Sequence, residues 1–272
     1  MDDDADESTE RREYDPGADH AFPDGRLNEV LSAIESDPEI ATYLQAQNVN
    51  AVTRKGYNDH GEKHIEIVRD RALRLYDLLK AGGVEFNGAS DQGLEEADEA
   101  VIVALAATLH DVGHVVHRDD HSYYSIPLAA DLLDRFLPEF YGTEAAVRVK
   151  AEVLHAILCH HTEETPLTRE AGVIRIADGL DMERGRSRIP YEKGGRGINT
   201  ISSRAIERVA LAPGSDHAVE VEITMNNAAG VYQVDSLLKS KLEGSMLESD
   251  VRIVAINTKG DGEDRLVERI EL

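Results

Sequence analysis

The chain has 272 residues, 41% of them hydrophobic, enough for one large domain, or a large one and a small one, around a real core. Asp and Glu number 53 against 29 Lys and Arg, a formal charge of −24 spread along the whole sequence, and arginine heavily outnumbers lysine. That balance suits solubility in concentrated salt, a halophilic signature, and argues against a broad basic face for DNA or an anionic membrane.

Residues 1–25 are acidic, poor in aliphatics and punctuated by Pro16, Gly17 and Pro23, which predicts a disordered tail in which His20 is solvated. Nothing in this start reads as a leader and no long uncharged apolar run follows, so the expectation is a cytoplasmic protein. Leu27, Val30, Leu31 and Ile34 recur at helical spacing, and Asp37-Pro38 starts a second short helix through Tyr43 and Leu44. The segment 54–64, RKGYNDHGEKH, runs turn-like to Gly61. His64 then opens a helix with Ile65, Val68, Leu75, Leu78 and Leu79 on its apolar face, ended by Gly82-Gly83. His64 lies one turn before Val68 on that face, as a satisfied core histidine or as a ligand. His60 precedes it by four positions, but Gly61 argues against a shared helical face. Residues 85–94 read as a polar, Gly-rich loop.

Val101 to Leu109 is almost entirely apolar and predicts a buried central helix. His110 and Asp111 follow it, then Gly113, a residue type that ends helices, then His114, His117 and His121. A polar pair closing a buried helix is costly unless something satisfies it, either capping or a divalent cation. His121 begins another helix, with Ile126, Leu128, Ala129, Leu132 and Leu133 as its apolar face, stopping near Pro138. From Glu144 to His161 the positions Val147, Ala151, Leu154 and Leu158 repeat at helical spacing, with His161 on the continuation and His160 beside it. Cys159 is the single cysteine, so there is no disulfide framework and no partner for a thiolate zinc site. In Ala171 to Asp181, AGVIRIADGLD, a short helix gathers Ile174, Ala177, Asp178 and Asp181 on one side. Asp178 there is either a ligand or the partner of a buried arginine.

After Asp181 the character changes. Residues 184–196, RGRSRIPYEKGGR, carry five basic side chains against one acid. Val219, Val221, Ile223 and Met225 alternate with Glu220, Glu222 and Thr224 as a half-buried strand. Asn226-Asn227 turns the chain, Gly230 to Glu243 reads as a helix, and 251–257 and 266–272 read as strands. The expected architecture is therefore mainly α: a helical domain over 26–190, a linker over 191–199, and a small α+β module over 200–272 assigned to docking or homo-oligomerisation.

The phrases HIEIV, ALAATLHDVGH, HSYYS, ILCHH and VIRIADGLD, in that order over residues 55–190, resemble the HD-domain superfamily of metal-dependent phosphohydrolases. Residues 178–198 and the phrase MNNAAGVYQV are further similar to uncharacterised archaeal members. The resemblance implies a helical HD bundle in which His64, His110, Asp111 and Asp178 hold one divalent transition metal. Asp111 would bridge to a second ion held by His121 with His160 and His161. Imidazole and carboxylate donors suit Mn, Fe, Co, Ni or Zn, as one ion or two. The implied activity is hydrolysis of a small phosphate ester or anhydride, nucleotides foremost, by a metal-activated hydroxide. Its alternative is a nucleotide-binding or sensor protein that uses a metal-stabilised HD fold without turnover. Members similar to the signalling phosphodiesterases carry Lys where this chain has His114, and HDVGH looks closer to the deoxynucleotide triphosphohydrolases, whose long insertions are absent here. His114 and His117 are accordingly candidates, beside Asp111, for phosphate contact or leaving-group protonation, or else loop histidines. Arg184, Arg186, Arg188 and Lys193 are candidates for closing over substrate phosphates, or for salt bridges to the acidic surface.

Overall fold

A computed structural model describes residues 25–56, 58–161, 163–183, 198–258 and 269–271. The centre of the helical part is α5 (Glu96–Leu109), in which every residue from Asp98 to Leu109 is buried. Its sequence can occupy that place because the run is apolar all round, so no face needs water. The acidic first turn sits at the positive end of the helix dipole, and Glu95 and Asp98 form a reciprocal capping box. Asp98 also takes an ion pair from Arg26 at 2.6 Å and a hydrogen bond from the Tyr141 hydroxyl at 2.9 Å, so the one polar end of α5 is satisfied.

Around α5 pack α1 (Gly25–Ser36), α3 (Glu62–Ala81), α4 (Asn87–Gln92), α7 (Thr143–Leu158) and α8 (Arg169–Leu180). The helix α2 (Pro38–Asn48) is capped by Asp37, whose carboxylate accepts from the backbone of Glu39 and Ile40. α6 (His121–Phe136) lies against α7 and against the 3₁₀ turn Val112–Val115 that leaves α5. The expected loop at 85–94 contains α4 instead. Its start is held by Glu170, whose Oε1 accepts from the Gly88 backbone at 2.7 Å, a tertiary contact that no local pattern announces.

Two sequence readings need rotating. In α7 the inward face is Val149, Val153, Ala156 and Ile157, while Val147 is 56% exposed, so the expected stripe was out of phase. On the true stripe His160, not His161, is the next inward position, and His160 is 1% exposed. Gly113 does not end α5 through a left-handed backbone, since it is not among the described residues with positive φ. It is needed because a Cβ there would lie 2.0 Å from the carbonyl oxygen of His121.

The C-terminal part is a four-stranded mixed sheet in the order β1 (Ile206–Pro213), β2 (Val219–Met225), β3 (Val251–Asn257), β4 (Arg269–Glu271), preceded by the short helix α9 (Ile198–Ser203). β2 and β3 are parallel, from Val219 opposite Val251 to Met225 opposite Asn257, and the outer pairs are antiparallel. A parallel pair requires a crossover, and residues 226–250 provide it. The expected single helix is in fact a 3₁₀ turn at Ala228–Gly230, a π-helical stretch Gln233–Leu238 and one turn of α10 (Lys239–Leu242). In the widened π stretch Gln233, Val234 and Leu238 all face inward, and Gln233 Nε2 donates to Ser202 Oγ at 2.7 Å. This crossover lies on α8, where two glycines make room. A Cβ on Gly172 would meet the Ser245 carbonyl oxygen at 2.0 Å, and one on Gly179 would meet Lys241 Cδ at 2.7 Å. The glycines of AGVIRIADGLD thus form a seat for the module. No described helix is long and apolar enough to cross a membrane.

Candidate metal centre

The ends of α5, α7 and α8 and the starts of α3 and α6 converge on one point. There Asp111, 2% exposed, lies among buried histidines brought from four of these segments, the fifth, α8, supplying Asp178. Its two oxygens face different sets. Oδ2 is 3.4 Å from His64 Nε2 and 3.6 Å from His110 Nε2. Oδ1 is 3.1 Å from His121 Nε2, 3.4 Å from His114 Nε2 and 3.8 Å from His160 Nε2. Asp178 completes the first set, its Oδ1 lying 3.5 Å from His64 Nε2 and 3.9 Å from His110 Nε2.

Which ring nitrogen faces inward follows from the helix ends. The last carbonyls of a helix have no intrahelical donor, and a histidine just beyond can supply one from Nδ1. His110 Nδ1 donates to the Ala107 carbonyl at 2.8 Å, His160 Nδ1 to Ile157 at 2.6 Å, and His121 Nδ1 to Arg118 at 2.7 Å. A carbonyl only accepts, so in each neutral ring the proton is on Nδ1 and Nε2 carries a lone pair. His64 is fixed in the same sense by the Asp181 carboxylate, 2.6 Å from its Nδ1. Hydrogen bonding of the outer nitrogen is the usual support of a metal-ligating histidine.

The consequence is an arrangement that could hold a cation. His121 Nε2 and His160 Nε2 stand 3.1 Å apart, with both outer nitrogens already committed. Two lone pairs at that distance repel, and either a metal ion or a proton on His121, which Asp111 favours against the effect of burial, relieves them. Donors bound 2.0–2.1 Å from a common tetrahedral or octahedral ion stand about 2.8–3.4 Å apart, which brackets both this pair and Asp111 Oδ1 with His121 Nε2. His110 Nε2 and His114 Nε2 are buried with no hydrogen-bond partner among the described residues. Charge effects agree. Burial opposes ionisation of Asp111 and Asp178, yet the imidazoles around both, with Lys241 beside Asp178, hold them well below the usual carboxylate range. Burial, then the neighbouring histidines, pushes His160 well below its usual value, so its ring is neutral and able to ligate.

The expected residues divide as follows. His64, His110, Asp111, His121, His160 and Asp178 are brought together, and ligand groupings also include His161, which sits half-buried on the rim with its ring 4.6 Å from that of His121. His114 is 1% exposed and stacked on His121 at 4.1 Å, so it belongs inside the ligand cluster rather than on the substrate side. His117 stands apart from the cluster. Its side chain is 48% exposed, and its Nδ1 accepts the Asp119 backbone N–H, outside every grouping of candidate ligands among the described residues. Arg184, Arg186, Arg188 and Lys193 lie outside the described residues.

Two participants escaped the sequence reading. His60 is 8% exposed and its Nδ1 lies 2.8 Å from Asp111 Oδ2. Gly61 does break the helix before it, but the loop folds back on α2, where Asn48 Oδ1 accepts the His60 backbone N–H and Gln47 donates to the His60 carbonyl. A Cβ on Gly61 would sit 2.7 Å from Asn48 Nδ2, so the DHG phrase was the available signal. The second is Lys241 of the C-terminal part, 2.7 Å from Asp178 Oδ2. Residues 200–272, expected to serve docking or homo-oligomerisation, thus also place a side chain beside the candidate ligands. A cleft of about 270 Å³ opens over the centre, lined on one side by His60, Asp111, His121 and Asp178 and on the other by Ser203, Gln233, Leu237 and Lys241.

Comparison with known proteins places this geometry. The HD domain family matches residues 73–183. An uncharacterized protein of Methanocaldococcus jannaschii, MJ1020, is 39% identical over 226 residues, covering 83% of this chain and 87% of that protein. A ribonuclease Y of Petrotoga mobilis is 28% identical over 177 residues, 61% of this chain but 30% of that protein. The chain belongs to the HD-domain superfamily of metal-dependent phosphohydrolases.

Proposed function

We propose that this protein hydrolyses a phosphate ester or anhydride of a nucleotide or related small phosphate compound. The observation that carries the reading is the convergence of His121 Nε2 and His160 Nε2, 3.1 Å apart, beside Asp111 Oδ1, a donor set spaced for a bound cation. The first ion would be held by His64, His110, Asp111 and Asp178, the second by Asp111, His121 and His160, with His114 and His161 adjacent. When bound, such ions supply Lewis-acid polarisation of a phosphoryl oxygen and a lowered pKa for water. The chain's own part is to keep imidazoles neutral at Nε2, to split the oxygens of Asp111 between two donor sets, and to hold these groups behind a small polar cleft. The relative named as a ribonuclease supports phosphoester hydrolysis as the class. The charge of −24 favours a small substrate over a polyanion bound along an extended face.

The test is metal stoichiometry together with phosphate or nucleotide release across a panel of mononucleotides, nucleoside triphosphates and nucleotide second messengers in concentrated salt. Release from at least one, lost on chelation and restored by Mn²⁺ or Co²⁺, is the expected result. Metal and nucleotide binding with no product from any compound would favour the sensor alternative. A variant separates one ion from two. His121→Ala removes a ligand of the second set only, so about one equivalent of metal is expected to remain with turnover strongly reduced. Unchanged metal content and rate would return His121 and His160 to a packing role.

A further inference from the structure

Lys241 is carried by α10 of the C-terminal part, yet it reaches the metal centre. Its ammonium donates to Asp178 Oδ2 at 2.7 Å and to the His160 carbonyl at 2.9 Å. The stem passes over Gly179, where any Cβ would collide with it, and its side chain is 15% exposed, so the tip is placed with little freedom left. An ammonium has three donors, and two are used by these partners. It also lines the cleft over Asp111 and Asp178.

We propose that Lys241 is a phosphate-binding residue of this cleft, so that the C-terminal module supplies part of the substrate site. The inference rests on the phosphohydrolase reading given above. A role in raising metal affinity is disfavoured by sign, because a fixed ammonium beside a divalent ion repels it. An anion entering the cleft gains instead from both the ions and the lysine. Lysine is a point-charge phosphate binder that needs no planar match, and its remaining N–H can meet a phosphoryl oxygen without breaking the two contacts that fix it. The same placement explains why α8 presents a glycine to the module directly after Asp178. The glycine admits the lysine stem beside the carboxylate.

The probe is inorganic phosphate, titrated calorimetrically into the full-length protein loaded with Mn²⁺, in wild type, Lys241→Met and Lys241→Arg. Loss of one charge-assisted contact is expected to weaken phosphate binding about 10- to 100-fold in Lys241→Met, while Lys241→Arg stays within a few-fold of wild type. Metal equivalents are expected to be unchanged in both. Should Lys241→Met fail to fold, Lys241→Gln, which keeps a donor for Asp178 without the charge, carries the same expectation. Wild-type phosphate affinity in the neutral variant would overturn the proposal. So would loss of metal along with phosphate, which would make Lys241 a support for Asp178 alone, and so would a metal-loaded wild type that binds no phosphate. A wild type that binds metal and phosphate but hydrolyses nothing, with the Lys241→Met loss intact, would overturn the phosphohydrolase reading and leave the lysine assigned.

Discussion

Asp111→Ala is expected to release bound metal and abolish hydrolysis together. One side chain sends its two oxygens to two sets of imidazoles, so truncating it removes a donor from each set at once. Outer-shell partners of a metal are worth roughly 10–100-fold in affinity, and a shared inner donor is worth more. The variant also leaves His60, His64, His110, His114, His121 and His160 gathered without the carboxylate that offsets a cation's charge. Element analysis after dialysis and a phosphate-release assay check both halves. Undiminished metal with full activity would remove the metal centre from the account of this protein.

The second large effect is expected at Gly113→Ala. A methyl group there would lie 2.0 Å from the His121 carbonyl oxygen, 2.6 Å from the Ser125 backbone nitrogen and 2.9 Å from Ser125 Oγ. Two of the three are backbone, so no rotamer change relieves the clash and the start of α6 must move away. That start carries His121. It also carries Ser125, whose hydroxyl accepts from the Gly113 N–H at 2.8 Å and donates to the His110 carbonyl at 2.7 Å. The expected cost is about 3 kcal/mol, at the upper end for overpacking. The same shift is expected to lower metal occupancy at the His121 side before the fold fails. Denaturant midpoints and metal equivalents measured on the same preparation check this, and wild-type values for both would show that α6 is not clamped by the turn.

Most of the helical part was legible because burial there is dictated locally. An apolar run such as 101–109 has no other home, and the apolar face of α3 kept its phase as expected. The phase of α7 was misread because Val147 and Ala151 are hydrophobic by type but face solvent. His110 and Asp111 were legible as a costly polar pair at a buried helix end. His60 was not, because its position depends on a loop folded back onto Asn48 rather than on any period. Nor was Lys241, whose meeting with Asp178 spans 63 residues and depends on two glycines of another element. Strand β2 alternates clearly, whereas β1 does not, and the π-helical crossover has no periodic signature of its own. Segment 184–197, where the basic candidates for phosphate binding lie, falls outside the described residues.

His110 and His160 take their orientation from carbonyls at helix ends, His121 from the turn carbonyl of Arg118 and His64 from the Asp181 carboxylate, and the helices that carry them pack on one apolar core. The chain's own hydrogen bonds thus orient the ring nitrogens of the ligands. Small zinc modules differ, because there the ion itself drives the chain to fold and chelation unfolds it. With so large an apolar core beside the centre, this chain is expected to stay folded on chelation, which circular dichroism with and without a chelator checks. Choice among divalent ions would then rest on ligand type, geometry and supply rather than on raw affinity.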